Sequence, residues 1–261
     1  MIGSVEFEMT RLNAKLRQLE KETGAGGKAL VTDAAKAATR AGIEMNPPGW
    51  HGVSAPAAKK RGEKTLTRDI RRVFATASYA FGTIKDKAKA KAFWARIRGK
   101  NRDLAAAREI LRLSTWNSLL KSAEIVDTVR PSEHDSARRR GRVPKKTPVA
   151  QIITKVSTLN AYIKERSRMV GLWSAGWMPA VTKLKITRIP AWVARHKGKA
   201  RGRCEFKQNG DRFEITIANS TGFGSLKAII PYALAAATAG LDARLKKMKA
   251  AALKKSGFNT R

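Results

Sequence analysis

Met9, Leu12, Leu16 and Leu19 recur at intervals of three and four residues, so they share one face of an amphipathic helix predicted over residues 5–22 and ending near Gly24. Residues 28–46 predict a second helix. Its Ala29, Ala34, Ala37, Ala38 and Ala41 make a smooth face for a neighbouring helix, and Pro47-Pro48 stops it. Residues 47–64 read as a loop. Alternation of Val73, Ala75, Ala77, Tyr79 and Phe81, with Phe74 on the other face, predicts a strand over 71–81. Helical stretches follow at 87–98 and 102–113, whereas 118–130 has no clear period. Three prolines and no apolar run make 131–148 a long flexible segment. Val156, Leu159, Ile163, Val170, Trp173 and Trp177 form a heptad-like seam that predicts one helix from Thr154 to about Met178. Arg166 interrupts the seam and implies either a half-buried helix end or a partner's carboxylate.

Asn209-Gly210 suits a two-residue hairpin turn, because both residues tolerate positive φ. That tip sets Phe206 opposite Phe213 and Cys204 opposite Ile215. On the other face it sets like charges together, Lys207 with Arg212 and Glu205 with Glu214. Pro231 starts a final helix reaching about Lys255. The expected fold is α+β, several helices around a small antiparallel sheet, with a long basic loop. Residues 1–130 carry a helical insertion at about 85–113 and share one domain with 149–261, the basic Pro-rich loop at 131–148 lying between them.

A hydrophobic content of 43%, with six Trp and eight Phe, is enough for a packed core. The single cysteine, Cys204, excludes an intrachain disulfide, suits a reducing compartment and reads as a small apolar strand residue. Neither a secretory leader nor a membrane span is expected. The stripe of Leu241, Leu245, Met248 and Ala252 opposite Lys246, Lys247, Lys249 and Lys254 reads as a basic-faced helix packed on its own domain.

Charge changes this picture most. The 54 Lys and Arg outnumber the 20 Asp and Glu and leave 261 residues at +34, a load that repels itself unless a polyanion or acidic partner neutralises it. The surplus is dispersed over several segments, and residues 183–203 hold eight bases and no acid. Catalytic patterns are missing. His51, His134 and His196 stand at no metal-ligand spacing, and His196, beside Arg195, reads as a polar surface or phosphate-contacting residue. The run Gly24-Ala25-Gly26-Gly27-Lys28 lacks the first glycine and the magnesium-binding hydroxyl of a phosphate loop, and 221–225 lacks the third glycine of a dinucleotide fingerprint. No enzyme, cofactor or metal is expected.

The contact candidates are Arg138, Arg139, Arg140, Arg142, Lys145 and Lys146 in the Pro-bounded loop, with Arg195, Lys197, Lys199 and Arg201. Phosphates, an acidic protein groove and plain solvent all suit such runs. No recognition helix or zinc finger accompanies them, so any DNA contact is to the backbone and independent of base sequence.

Three phrases carry a resemblance: Tyr162-Ile163-Lys164-Glu165-Arg166, Gly171-Leu172-Trp173-Ser174-Ala175-Gly176-Trp177, and Pro190-Ala191-Trp192-Val193-Ala194-Arg195-His196. They resemble the latter half of minor tail or tail-completion proteins of tailed bacteriophages. About 35 residues match well and most of the chain matches loosely. The resemblance implies an α+β virion subunit at the head-to-tail neck, assembled in the host cytoplasm as a homo-oligomeric ring. Its partners would be other neck and tail proteins and packaged double-stranded DNA, with no membrane. Arg166, Trp173, Trp177 and Trp192 then become candidates for subunit contact, the alternative for the tryptophans being core. The competing expectation is a sequence-independent nucleic-acid-binding protein, RNA or ribosome-associated.

Overall fold

The computed structural model describes residues 27–46, 48–49, 52–98, 100–139, 142–209, 212–221 and 230–255; the helix expected over 5–22 lies outside them. The elements in chain order are α1 (Gly27–Met45), α2 (Ala55–Val73), β1 (Phe74–Thr76), α3 (Ala77–Phe81), α4 (Lys87–Arg98), α5 (Leu104–Ser114), a 3-10 turn (Ser118–Leu120), β2 (Glu124–Val126), α6 (Pro131–Ala137), β3 (Gln151–Ile153), α7 (Val156–Ser167), α8 (Leu172–Ala175), α9 (Met178–Lys183), α10 (Ala191–Ala194), β4 (Gly202–Asn209), β5 (Arg212–Asn219) and α11 (Ile230–Lys255). The fold class is α+β. The chain forms two compact units, one from residues up to Lys59 and from Val170 onward, the other from Lys60 to Met169. The boundaries expected at 130 and 149 both fall inside the second unit.

In the first unit the alanine face of α1 receives α11. Ala34 and Ala38 are buried, as are Ala233, Ala237 and Leu241, and Gly240 lies so close that an added Cβ would sit 3.2 Å from the Ala37 methyl. Small side chains let the two helices approach and bury the seam. None of the described helices is long and apolar enough to cross a membrane. The hairpin β4–β5 forms, but its register differs from the expected one. Asn209 pairs with Arg212, Cys204 with Ile217, Phe206 with Ile215 and Lys207 with Glu214. This shift by two keeps each residue on its expected face, removes both like-charge pairs and sets Lys207 opposite a carboxylate.

The single helix expected from Thr154 to Met178 does not form. α7 stops at Ser167, directly after Arg166, and Gly171 turns the chain at φ 98, a conformation that costs glycine little. Trp173 ends up in α8 and Trp177 at the N-cap of α9, either side of Gly176. The second break is tertiary: a Cβ on Gly176 would fall 1.8 Å from Asn219 Oδ1, so β5 presses directly onto the backbone there.

The second unit is built on a parallel sheet that the periodicity did not predict, in the order β1-β3-β2. Central β3 is buried throughout, with Ile152 packed among Phe93, Leu111 and Leu120 on one face and Ile153 among Phe74, Val143 and Leu159 on the other. The strand expected over 71–81 survives only as β1. Thr76 Oγ1 accepts the Tyr79 amide at 3.2 Å and caps α3, which converts the rest to helix. The loop expected at 47–64 is likewise shortened, because Ser54 Oγ accepts from the Ala57 amide at 3.4 Å and Pro56 fits the first turn of α2.

Trp177 is 2% exposed, and its ring lies 2.9 Å from where a Cβ on Gly42 would stand. Trp177→Ala is expected to destabilise the first unit by roughly 3–5 kcal/mol, read by urea unfolding; a loss below about 1 kcal/mol would show that the ring is not core.

Candidate polyanion interface

The segment 131–148 is not the flexible loop its prolines predict. Pro131 opens α6, which carries His134 into the core at 1% exposure, where its Nδ1 meets the Tyr162 hydroxyl at 3.1 Å and its ring meets Tyr162 edge-on. Within the basic run, Val143 is 1% exposed and its carbonyl accepts from Arg72 Nη1 at 2.7 Å. Between these anchors Arg139 and Arg142 exchange backbone hydrogen bonds of 2.7 and 3.1 Å. Arg139 also donates to the Ser136 carbonyl at 2.9 Å, and Arg138 is half-buried. Arg142, Lys145 and Lys146 are exposed, while Arg140 lies outside the described residues. The result is a basic tip presented on a structured base, which loses less conformational entropy on contact than a free loop.

The base is electrostatically sensitive. Burial pushes the His134 imidazole down from 6.5 to about 4, and Arg138 and Arg166 push it the same way, against Asp135 and Asp69. His134 is therefore neutral at pH 7. Nearby carboxylates are already engaged with this chain's own cations. Arg102 and the Thr154 hydroxyl hold the Asp127 carboxyl well below its usual range, with Lys155 Nζ 3.6 Å away. Arg130 takes Glu124 at 2.7 Å.

The second basic run lies in the first unit. Arg195 donates from Nη2 to the Val170 carbonyl at 3.1 Å, so part of its guanidinium is structural. His196 is 4% exposed with Nε2 3.2 Å from the same carbonyl, which corrects its reading as a surface residue. Lys197, Lys199 and Arg201 are exposed in the turn after α10.

The residues expected at a subunit contact are used internally. Trp177 and Trp192 are buried and Trp173 half-buried. A Cβ on Gly171 would meet the Trp192 ring at 2.5 Å, so the two tryptophan-bearing phrases that carry the resemblance pack on one another. Arg166 donates to the Tyr162 hydroxyl at 3.0 Å and pairs with Asp135, so its carboxylate comes from the same chain. Among the described residues, no three of His, Cys, Asp or Glu form a group able to hold a metal ion.

Two features escaped sequence reasoning. The anchoring role of His134 depends on Tyr162, 28 residues away. A groove of about 420 Å³ in the first unit gathers Lys28, Thr32, Lys36, Lys183, Lys185 and Lys207 from three parts of the chain. Only the four-residue spacing of Lys28, Thr32 and Lys36 on α1 hinted at it.

Replacing Arg139, Arg142, Lys145 and Lys146 with Gln should weaken duplex DNA binding and flatten the slope of log affinity against log salt by about 0.9 per lost phosphate contact, while changing stability by about 0.5 kcal/mol per site or less. Calorimetry at several salt concentrations reads both. Stability of the second unit should be full above about pH 6.5 and fall by about 3 kcal/mol as pH drops from 6.5 to about 4, because the unfolded imidazole takes up its proton first. Urea unfolding of His134→Phe across that range should lack this component.

Comparison of the chain with protein-family models, curated proteins and solved structures finds no match.

Proposed function

We propose that this chain is a structural virion protein of a tailed phage, a ring subunit at the head-to-tail neck whose basic surfaces face DNA or acidic neighbouring subunits. The observation that carries the electrostatic part is the basic tip at 138–146, anchored by buried His134 before it and buried Val143 within it and presenting Arg142, Lys145 and Lys146 outward. A surplus of +34 multiplied around a ring gives a strong positive field along a channel, matched by the regular phosphate charge of duplex DNA. Backbone contact of this kind needs no base readout and no catalytic group.

The neck assignment draws on the three phrases between Tyr162 and His196. Two of them pack together through Gly171 and Trp192, and a subunit contact would fall to surfaces other than the buried Trp177 and Trp192. The competing reading, a monomeric nucleic-acid-binding protein, shares the charge and differs in assembly.

Native mass measurement of the purified chain, alone and mixed with tailed-phage neck and tail proteins, tests the proposal. A closed homo-oligomer, or incorporation into a neck assembly, is expected. A chain that remains monomeric in both and prefers structured RNA to duplex DNA would overturn it.

A further inference from the structure

We propose that the first unit carries a binding groove for single-stranded nucleic acid, in which Lys28, Lys183, Lys185 and Lys207 hold phosphates and Phe206 and Phe213 receive a base. The groove lies where the start of α1, the end of α9 and the hairpin β4–β5 meet, with buried Leu184 among its lining residues. Its volume of about 420 Å³ suits a nucleotide-sized group and is far too small for a duplex. It shares no residue with the runs at 138–146 and 195–201.

Charge and apolar surface are combined here as single strands require. Five lysines line the groove, and among the described residues no carboxylate does. Lys36 reaches Asp33 at 4.0 Å, and Lys207 stands opposite Glu214 across the hairpin. Phe206 is 46% exposed, an uncommon state for a phenylalanine within a basic cluster, and its ring centroid lies 6.0 Å from that of Phe213. Lys183 Nζ stands 5.8 Å from the Phe206 centroid and Lys28 Nζ 5.4 Å from that of Phe213. The rings thus hold two ammonium groups in place beside the surface on which a base would stack.

Lys185 supplies an independent pointer. It sits at φ 52 directly after the C-cap of α9, where Lys185 N donates to Thr182 O and Ile186 N to Val181 O. That position in a helix-ending turn favours glycine, and a lysine there carries backbone strain in exchange for a charge at the groove. The cation type indicates the ligand. Elsewhere this chain grips carboxylates with arginine forks, as in Arg102 with Asp127 and Arg112 with Glu109. The groove holds only lysines, point charges that accept phosphate oxygens from many directions.

The test is fluorescence anisotropy with a labelled oligothymidylate of about ten nucleotides, within the usual site sizes, against a duplex and against polyglutamate. Phe206→Ala should lower single-strand affinity by about tenfold and leave duplex affinity within about twofold. Lys185→Gly should lower single-strand affinity, reduce its salt slope by about 0.7, and leave the melting temperature unchanged or raised, because the substitution also relieves the left-handed strain. Unchanged single-strand affinity in both variants overturns the groove, as does polyglutamate binding that competes equally and loses strength in the same variants. Duplex binding that persists while the groove variants have no effect leaves the neck proposal intact. Groove variants that behave as expected in a chain that never assembles leave the groove standing without it.

Discussion

One backbone carbonyl organises the first unit. Trp173 O accepts the side-chain amide of Asn46 at 3.0 Å, from the residue just beyond α1, and that of Asn219 at 2.9 Å, from the last residue of β5. Asn219 Oδ1 in turn accepts the Thr221 amide, and Ser174 Oγ donates to the Ile43 carbonyl. These bonds are made where water is largely excluded, so each unmet group would cost its full desolvation, which makes the junction all-or-none. Glycine is required around it: a Cβ on Gly202 would lie 1.9 Å from Gly176 O, and one on Gly176 would strike Asn219. The helix break between Trp173 and Trp177, the seating of the hairpin and the burial of Trp177 against Gly42 all follow from this close approach.

The second unit depends instead on hydrophobic burial from both sides. A three-residue strand gains little from its ladder alone, but β3 places Ile152 and Ile153 on opposite faces, each fully buried, and so requires helices on both. The face bearing Phe74, Ile153 and Tyr162 also anchors the basic tip, through His134 and Val143. Packing and surface charge are linked there: the histidine that completes the core is kept neutral by burial and by the charges of Arg138 and Arg166.

Charge balance explains why the cationic surfaces stay open. The chain has few carboxylates, and those of Asp69, Asp127, Asp135, Glu109 and Glu124 pair with arginines of their own unit. Apart from Arg72–Asp69, whose carboxylate is buried, these pairs are partly or fully open to solvent and contribute little stability each, yet they withdraw acids that would otherwise neutralise neighbouring lysines. What remains is positive potential on the 138–146 tip, the 197–201 turn and the lysine groove.

Local signals in the chain determined the elements that local signals control. The alanine run predicts α1, Lys87–Arg98 forms as read, and the alternation of Cys204, Phe206, Phe213 and Ile215 marks the hairpin faces. Net charge and its distribution are likewise legible in the sequence, and on them rests the proposal of a polyanionic or acidic partner. Tertiary structure decided the rest. Periodicity cannot distinguish one helix of 25 residues from three short ones when the breaks fall at Gly171, against Trp192, and at Gly176, against Asn219, the second contact made 43 positions away. Nor can it show a parallel sheet whose strands are three residues long and are recruited from positions 74, 124 and 151. The groove is invisible for the same reason: Lys28, Lys183 and Lys207 are ordinary surface lysines until folding brings them around two phenylalanines, and only then do their charges add to one local positive potential.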